Sequence, residues 1–175
     1  MTARNAAERD LSRRGFFTMT GAGVGVTVLA ALTSKGVAAA QVARGTTTED
    51  GKVLEANRNF YRALQDLSLE KMDAVWLQED WVKCVHPGWN LLEGWETIRE
   101  SWQTMFKDTD SMLIRVGVQS VRVDGSTAWV CCTEDISSAE GRRTDSGSAQ
   151  ATNIFERRNG AWLLVHHHAS PLLIP

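Results

Sequence analysis

An α+β fold, with helices ahead of an antiparallel sheet, is predicted by a change of periodicity near Lys107. Before that point apolar residues recur at helical spacing. After it they fall in four runs that read as strands, separated by short polar breaks. Two of the breaks, Asp124-Gly125-Ser126 and Asn159-Gly160, are turn sequences, and the second is the strongest hairpin signal in the chain.

The elements follow in order. Val53, Leu54, Phe60, Tyr61, Leu64 and Leu67 are spaced for one face of an amphipathic helix from Val53 to Leu67. Asp66-Leu67-Ser68 breaks it, and Ser68 is placed to cap a second helix that runs through Met72, Val75, Trp76 and Leu77. Trp81 to His86 reads as a short strand stopped by Pro87-Gly88. Glu93-Gly94 precedes a third helix, Trp95 to Lys107, with Ile98, Trp102, Met105 and Phe106 on its apolar side. Strands are expected at Met112–Val123, Thr127–Ser137, Ser146–Arg157 and Ala161–Ser170, with a polar loop through Glu140-Gly141-Arg142-Arg143.

The first 40 residues read as an export signal. Ser12-Arg13-Arg14-Gly15-Phe16-Phe17 is close to the twin-arginine pattern. Gly21 to Leu32 is uncharged and mildly apolar, shorter than the roughly 20 residues a membrane span needs. Ala38-Ala39-Ala40 then offers a small-residue cleavage site. The expected organisation is a twin-arginine signal over 1–40, a flexible Thr-rich lead over 41–52 and one domain over 53–175. The expected location is the periplasm or the exterior, with membrane contact only during export. The chain carries 19 basic and 21 acidic residues; without the five basic and two acidic residues of the signal, the net charge is −5. No basic stripe remains, which argues against nucleic acid as a partner.

Of the three cysteines, Cys84, Cys131 and Cys132, the adjacent pair points to opposite faces of a strand. A bridge from Cys84 to either one stays open, beside the simpler reading of three small buried hydrophobes. Trp76, Trp81, Trp102 and Trp162 read as core. Trp89 and Trp95 flank a loop placed to lip a pocket and to stack on a ring-shaped ligand, and Trp89 and Trp102 are candidate ligand-binding residues.

Three of the four histidines form one run, Val165-His166-His167-His168-Ala169, at the end of an apolar strand. Strict alternation puts His166 and His168 on the face of Trp162 and Leu164, and His167 on the other. Two imidazoles ending an apolar stripe point to proton transfer or to a metal.

With these residues, the element order resembles the nuclear transport factor 2-like superfamily and, within it, the SnoaL-like group. The resemblance rests on Asn59-Phe60-Tyr61 with Leu64, Val85-His86-Pro87-Gly88, Gly94-Trp95 with Ile98 and Ser101-Trp102. Thr127-Ala128-Trp129-Val130, Ala151-Thr152-Asn153-Ile154-Phe155, Gly160-Ala161-Trp162 and Val165 to Ser170 complete it. It covers about Val53 to Ser170. It implies a cone-shaped barrel, with three N-terminal helices packed on a curved, mostly antiparallel sheet around a pocket. It also implies that the first strand lies beside the last, which would bring His86 to His166 and His168. The other sheet face commonly forms a homodimer interface in such proteins. Trp129 and Cys131 lie on one face, Ala128, Val130 and Cys132 on the other, and which one lines the pocket is open.

Three functional readings stand side by side. In the first, cofactor-free acid–base catalysis acts on a small cyclic or carbonyl compound, as in an isomerase, dehydratase or lyase. His86 or His166 is then the base, His168 its partner, and Tyr61, the only tyrosine, the group that polarises a carbonyl. Asn153 would orient a substrate oxygen and Glu134 a histidine. The resemblance departs from the steroid-isomerase pattern, since His86 stands about where that pattern has a carboxylate. In the second reading, His86, His166 and His168 form a three-histidine face for zinc, copper or iron; folded export fits that reading. In the third, the domain is a non-catalytic module that binds a small apolar ligand or dimerises. No glycine-rich phosphate loop follows a strand, and no nucleophile–base pair for acyl transfer is legible.

Overall fold

The computed structural model describes residues 48–172. The stretch expected to be a signal with its cleavage site, the lead through 47 and the last three residues lie outside them. The elements are α1 (Glu49–Gln65), α2 (Leu69–Val75), β1 (Lys83–Val85), β2 (Leu92–Glu93), α3 (Trp95–Lys107), β3 (Ser111–Asp124), β4 (Thr127–Glu140), β5 (Arg143–Arg158) and β6 (Ala161–Pro171). Among the described residues no helix is long and apolar enough to cross a membrane.

Helix α1 starts four residues before Val53. The Thr48 side chain accepts the Gly51 N–H at 3.2 Å, which satisfies one of the donors a helix start leaves open. Its apolar stripe, Val53, Phe60, Tyr61 and Leu64, is buried, and Asn57 is buried with it. Leu67 adopts a left-handed φ of 51°, turning the chain so that Ser68 caps α2 through the Lys71 N–H. Helix α2 stops at Val75 rather than Leu77. Trp76 is already extended and bridges to Leu164, and the Leu77 N–H donates to the Leu164 carbonyl at 2.9 Å. Gly94, at φ 84°, precedes α3; a Cβ there would stand 3.3 Å from the Asp80 carbonyl oxygen, so both the conformation and the space favour glycine.

The six strands form one sheet in the order β2-β1-β6-β5-β4-β3. Strand β1 runs parallel to β6 and pairs Cys84 with His167, so the first strand does lie beside the last. Two sequence expectations need correction. The sheet is open, with β2 and β3 as edges, and does not close into a barrel. The helices are not all N-terminal to the sheet either, because β1 and β2 separate α2 from α3.

The β4–β5 hairpin turns tightly at Gly141 (φ 57°), so both strands extend through what reads as a polar loop. Asn159 and Gly160, at φ 52° and 85°, form the expected primed turn. Helix α1 packs across β3, β4 and β6, and the core fills the space between them. Phe60 sits at its centre, with its ring 4.9–6.4 Å from those of Tyr61, Trp76, Trp102 and His167. Trp76, Trp95, Trp102 and Trp162 are buried, whereas Trp81, expected in the core, is exposed.

Candidate functional site

A single β-bulge decides which histidine faces the helices. In the β5–β6 ladder Phe155 pairs with Leu164 and Ile154 with His166, which leaves Val165 as an extra residue. Alternation restarts after it. Trp162, Leu164, Val165, His167 and Ala169 are buried, while His166 is half-buried and His168 exposed. The inner histidine is therefore His167, and His166 and His168 lie on the outer face with their rings 6.1 Å apart. The simple alternation expected for this strand fails here, because one inserted residue moves every later side chain to the opposite face. We expect His167→Ala to lower stability by about 2–4 kcal/mol and His168→Ala by no more than about 0.5 kcal/mol. Urea unfolding of the two variants checks this, and the opposite ranking would contradict the bulge.

On the inner face, strand β4 contributes Ala128, Val130, Cys132 and Glu134, which settles which face meets the helices. A directional hydrogen-bond chain crosses this face. His167 Nδ1 lies 2.7 Å from Asn153 Oδ1. Asn153 Nδ2 donates to Asn57 Oδ1 at 2.8 Å and to the Tyr61 hydroxyl at 3.0 Å. That orientation of the amide makes His167 Nδ1 the protonated nitrogen. Tyr61 in turn donates to Glu134 Oε1 at 2.6 Å, with Cys132 Sγ at 3.2 Å. The second Glu134 oxygen takes no hydrogen bond from the described residues.

Burial sets the charge states. It raises the Glu134 carboxyl to about 7, against the Tyr61 hydrogen bond, which pulls it down. Burial first, and then the neighbouring Glu134 and Cys132, push the Tyr61 phenol well above its ordinary value. Cys132 is pushed up to about 11 by burial. His167 is held well below its ordinary value by burial and then by His86. At neutral pH the chain thus ends on a carboxyl poised between its two forms.

A cleft of about 370 Å³ opens between α1 and the inner face of β3, lined by Leu54, Asn57, Arg58, Tyr61, Arg62, Gln65, Ile114, Val116 and Val118. Val116 pairs with Glu134 across the β3–β4 ladder, so the carboxyl lies next to the cleft wall. Tyr61 and Asn57 belong both to the cleft and to the buried chain.

The other expected site residues lie elsewhere. His86 follows β1, is buried, and has its Nε2 2.8 Å from Ser101 Oγ. Burial lowers it to about 3. Trp102 stands edge-on to the His86 ring at 4.4 Å and Trp89 at 5.0 Å, so these two tryptophans enclose a histidine and do not line the cleft. Glu134 is bonded to Tyr61 rather than orienting a histidine.

His86 is inside and the pair His166 and His168 outside, so these three side chains do not converge. Among the described residues no group of three His, Cys, Asp or Glu is arranged to hold a metal ion. All three cysteines are free thiols. Asn57, missed in the sequence, did leave a signal: it is a polar residue at a core position of the Val53, Phe60, Tyr61, Leu64 stripe. His167 left none, because a bulge is not legible from composition.

An open, curved sheet covered by helices, with a polar inner chain beside a cleft, defines a small-ligand-binding fold of the NTF2-like kind. A profile of the family described as "SnoaL-like domain" matches residues 53–175, and the chain belongs to that family. A solved structure described as a "putative dehydratase from the NTF2-like family" of Streptomyces avermitilis is 34% identical. It aligns with 72% of this chain and 97% of that one, at a TM-score of 0.67. A "putative calcium/calmodulin-dependent protein kinase type II association domain" from Thiobacillus denitrificans is 30% identical over 67% of this chain and 93% of that one, at a TM-score of 0.60. The "F-box protein SKIP8" of Arabidopsis thaliana is 32% identical over 122 residues, 70% of this chain, and this chain spans about half of its length.

Proposed function

We propose that the α1–β3 cleft is a cofactor-free acid–base site for a small cyclic or carbonyl compound, of the isomerase, dehydratase or lyase type. The observation that carries it is the Tyr61–Glu134 pair at 2.6 Å, with the carboxyl raised to about 7 beside the cleft. A base is most effective when its pKa lies near the working pH. Glu134 takes a proton from a carbon next to the substrate carbonyl through the oxygen that Tyr61 does not bond. As Glu134 becomes protonated, the Tyr61 hydroxyl turns its one proton from the carboxyl to the oxygen on which negative charge develops, and the Asn57 Nδ2 donates to the same oxygen. Glu134 then returns the proton to another carbon, completing an isomerisation, or to a leaving hydroxyl, which departs as water.

The family likeness to a chain described as a dehydratase supports this reading. Proton–deuterium exchange next to the carbonyl of small cyclic ketones in D2O, followed by NMR, tests it. Exchange above the buffer rate that is lost in Tyr61→Phe is the expected outcome, with a loss of about 10²–10³-fold if the phenol holds the oxyanion. No exchange with any such ketone would refute it.

A second reading, a non-catalytic binding or dimerisation module, is favoured by the likeness to a chain described as an association domain. We further propose that the chain pairs as a homodimer through the outer sheet face, where Trp129, Cys131 and Ile154 are only half-buried. Sedimentation analysis tests that pairing. We also propose that the first 40 residues direct twin-arginine export, to be tested by N-terminal sequencing of the protein recovered outside the cytoplasm.

A further inference from the structure

The cleft carries charge of one sign. Its charged lining residues are Arg58 and Arg62, four positions apart on α1 and therefore stacked on one helix face. Both lean on a single carboxylate: Arg58 Nε donates to Glu55 Oε2 at 2.8 Å and Arg62 Nη1 to Glu55 Oε1 at 3.1 Å. Two guanidinium groups thus share one anion, and the rim keeps an excess of positive charge. The facing strand, with Ile114 and Val116, is apolar, as is Leu54 one turn before Arg58 on α1.

We propose that the ligand of this cleft is a small amphipathic carboxylic acid, its ring or chain against Leu54, Ile114 and Val116 and its carboxylate on Arg58 and Arg62. A planar two-oxygen anion matches the guanidinium fork, and the apolar wall gives the rest of the molecule a place out of water. The carbonyl end then points inward, to Tyr61. This inference rests on reading the cleft as the acid–base site, and it adds the substrate class.

The test is calorimetric titration of the full-length chain with 4-oxocyclohexanecarboxylate and with its methyl ester. The two share one ring and one ketone and differ by one charge. The acid is expected to bind about tenfold more tightly than the ester, the size of one partly screened charge-assisted contact. That advantage shrinks at high salt. In the double variant Arg58→Gln, Arg62→Gln, with an unchanged thermal melt, acid and ester bind alike. Equal binding of acid and ester to the unaltered protein overturns the carboxylate proposal and leaves the cleft reading standing. An acid preference that survives in the double variant also overturns it, by removing the arginines as its cause. Failure of both probes to bind overturns the cleft reading together with this one.

Discussion

Replacing Glu134 with glutamine is expected to lower proton exchange by about 10²–10⁴-fold, the usual contribution of a positioned acid–base group, while making the fold more stable above neutral pH. Glutamine keeps the shape and an oxygen for the Tyr61 hydroxyl, so packing is preserved. What disappears is the ionisable group. In the native state its pKa is raised from an ordinary 4.5 to about 7. Below pH 4.5 folded and unfolded chains are both protonated and Glu134 has no effect on stability. Between 4.5 and 7 the folded chain holds a proton that the unfolded chain has released, so stability falls as pH rises. Above 7 the full penalty applies, about 3 kcal/mol. Urea unfolding should therefore show the variant matching the parent near pH 4 and exceeding it by that order at pH 8. A variant that is inactive but less stable at pH 8 would mean that the carboxylate is stabilising and not strained.

The second large effect is acid lability from buried histidines. His86 has a folded pKa of about 3 and His167 one well below the ordinary 6.5, both because of burial. The folded chain keeps them neutral, while the unfolded chain takes up protons as pH falls through 6.5. Stability is therefore complete above pH 6.5 and is lost as pH falls, at about 1.4 kcal/mol per pH unit for each histidine down to its folded pKa, about 3 for His86. From pH 6.5 down to 4.5 Glu134 acts in the opposite sense and cancels about one of the two; below 4.5 the histidines act alone. The unfolding free energy should thus bend downward near pH 4.5. His86→Gln, which retains an amide to meet Ser101, should remove one histidine's slope across the whole range. An unchanged slope in that variant would show that His86 is not the group taking up the proton. The two predictions separate cleanly, since the first is read above pH 7 and the second below 6.5.

The elements best read from sequence are those whose signal is local. The Val53–Leu64 stripe is helical because its spacing allows one buried face, and Ser68 caps α2 as its position indicates. Asn159-Gly160 turns the last hairpin because those two residues accept positive φ. Asn153 and Glu134 are legible as polar residues in apolar runs and Tyr61 as the only tyrosine, and all three meet in one hydrogen-bond chain. The strand ends were less legible. Ser138 to Glu140 have weak strand preference alone, and they are held in β4 by pairing with β5.

The histidine run shows where local reading stops. Its residue types, its place at the end of an apolar strand and its neighbourhood with His86 are properties of the sequence and its likeness to a family. Its facing is not. Val165 bulges because Phe155 pairs with Leu164 and Ile154 with His166, and that register belongs to two strands and to the α2 end that bonds Leu164. The same holds for Glu134: its identity is written in the chain, but its raised pKa exists only because α1 covers it and removes water. By itself the sequence determined the family, the order of elements and the candidate groups, because each depends on near neighbours or on residue type. Only the tertiary structure decided which histidine faces inward, that the sheet stays open and that the cleft runs between α1 and β3. Those depend on pairing between segments far apart in the chain, which no local pattern records.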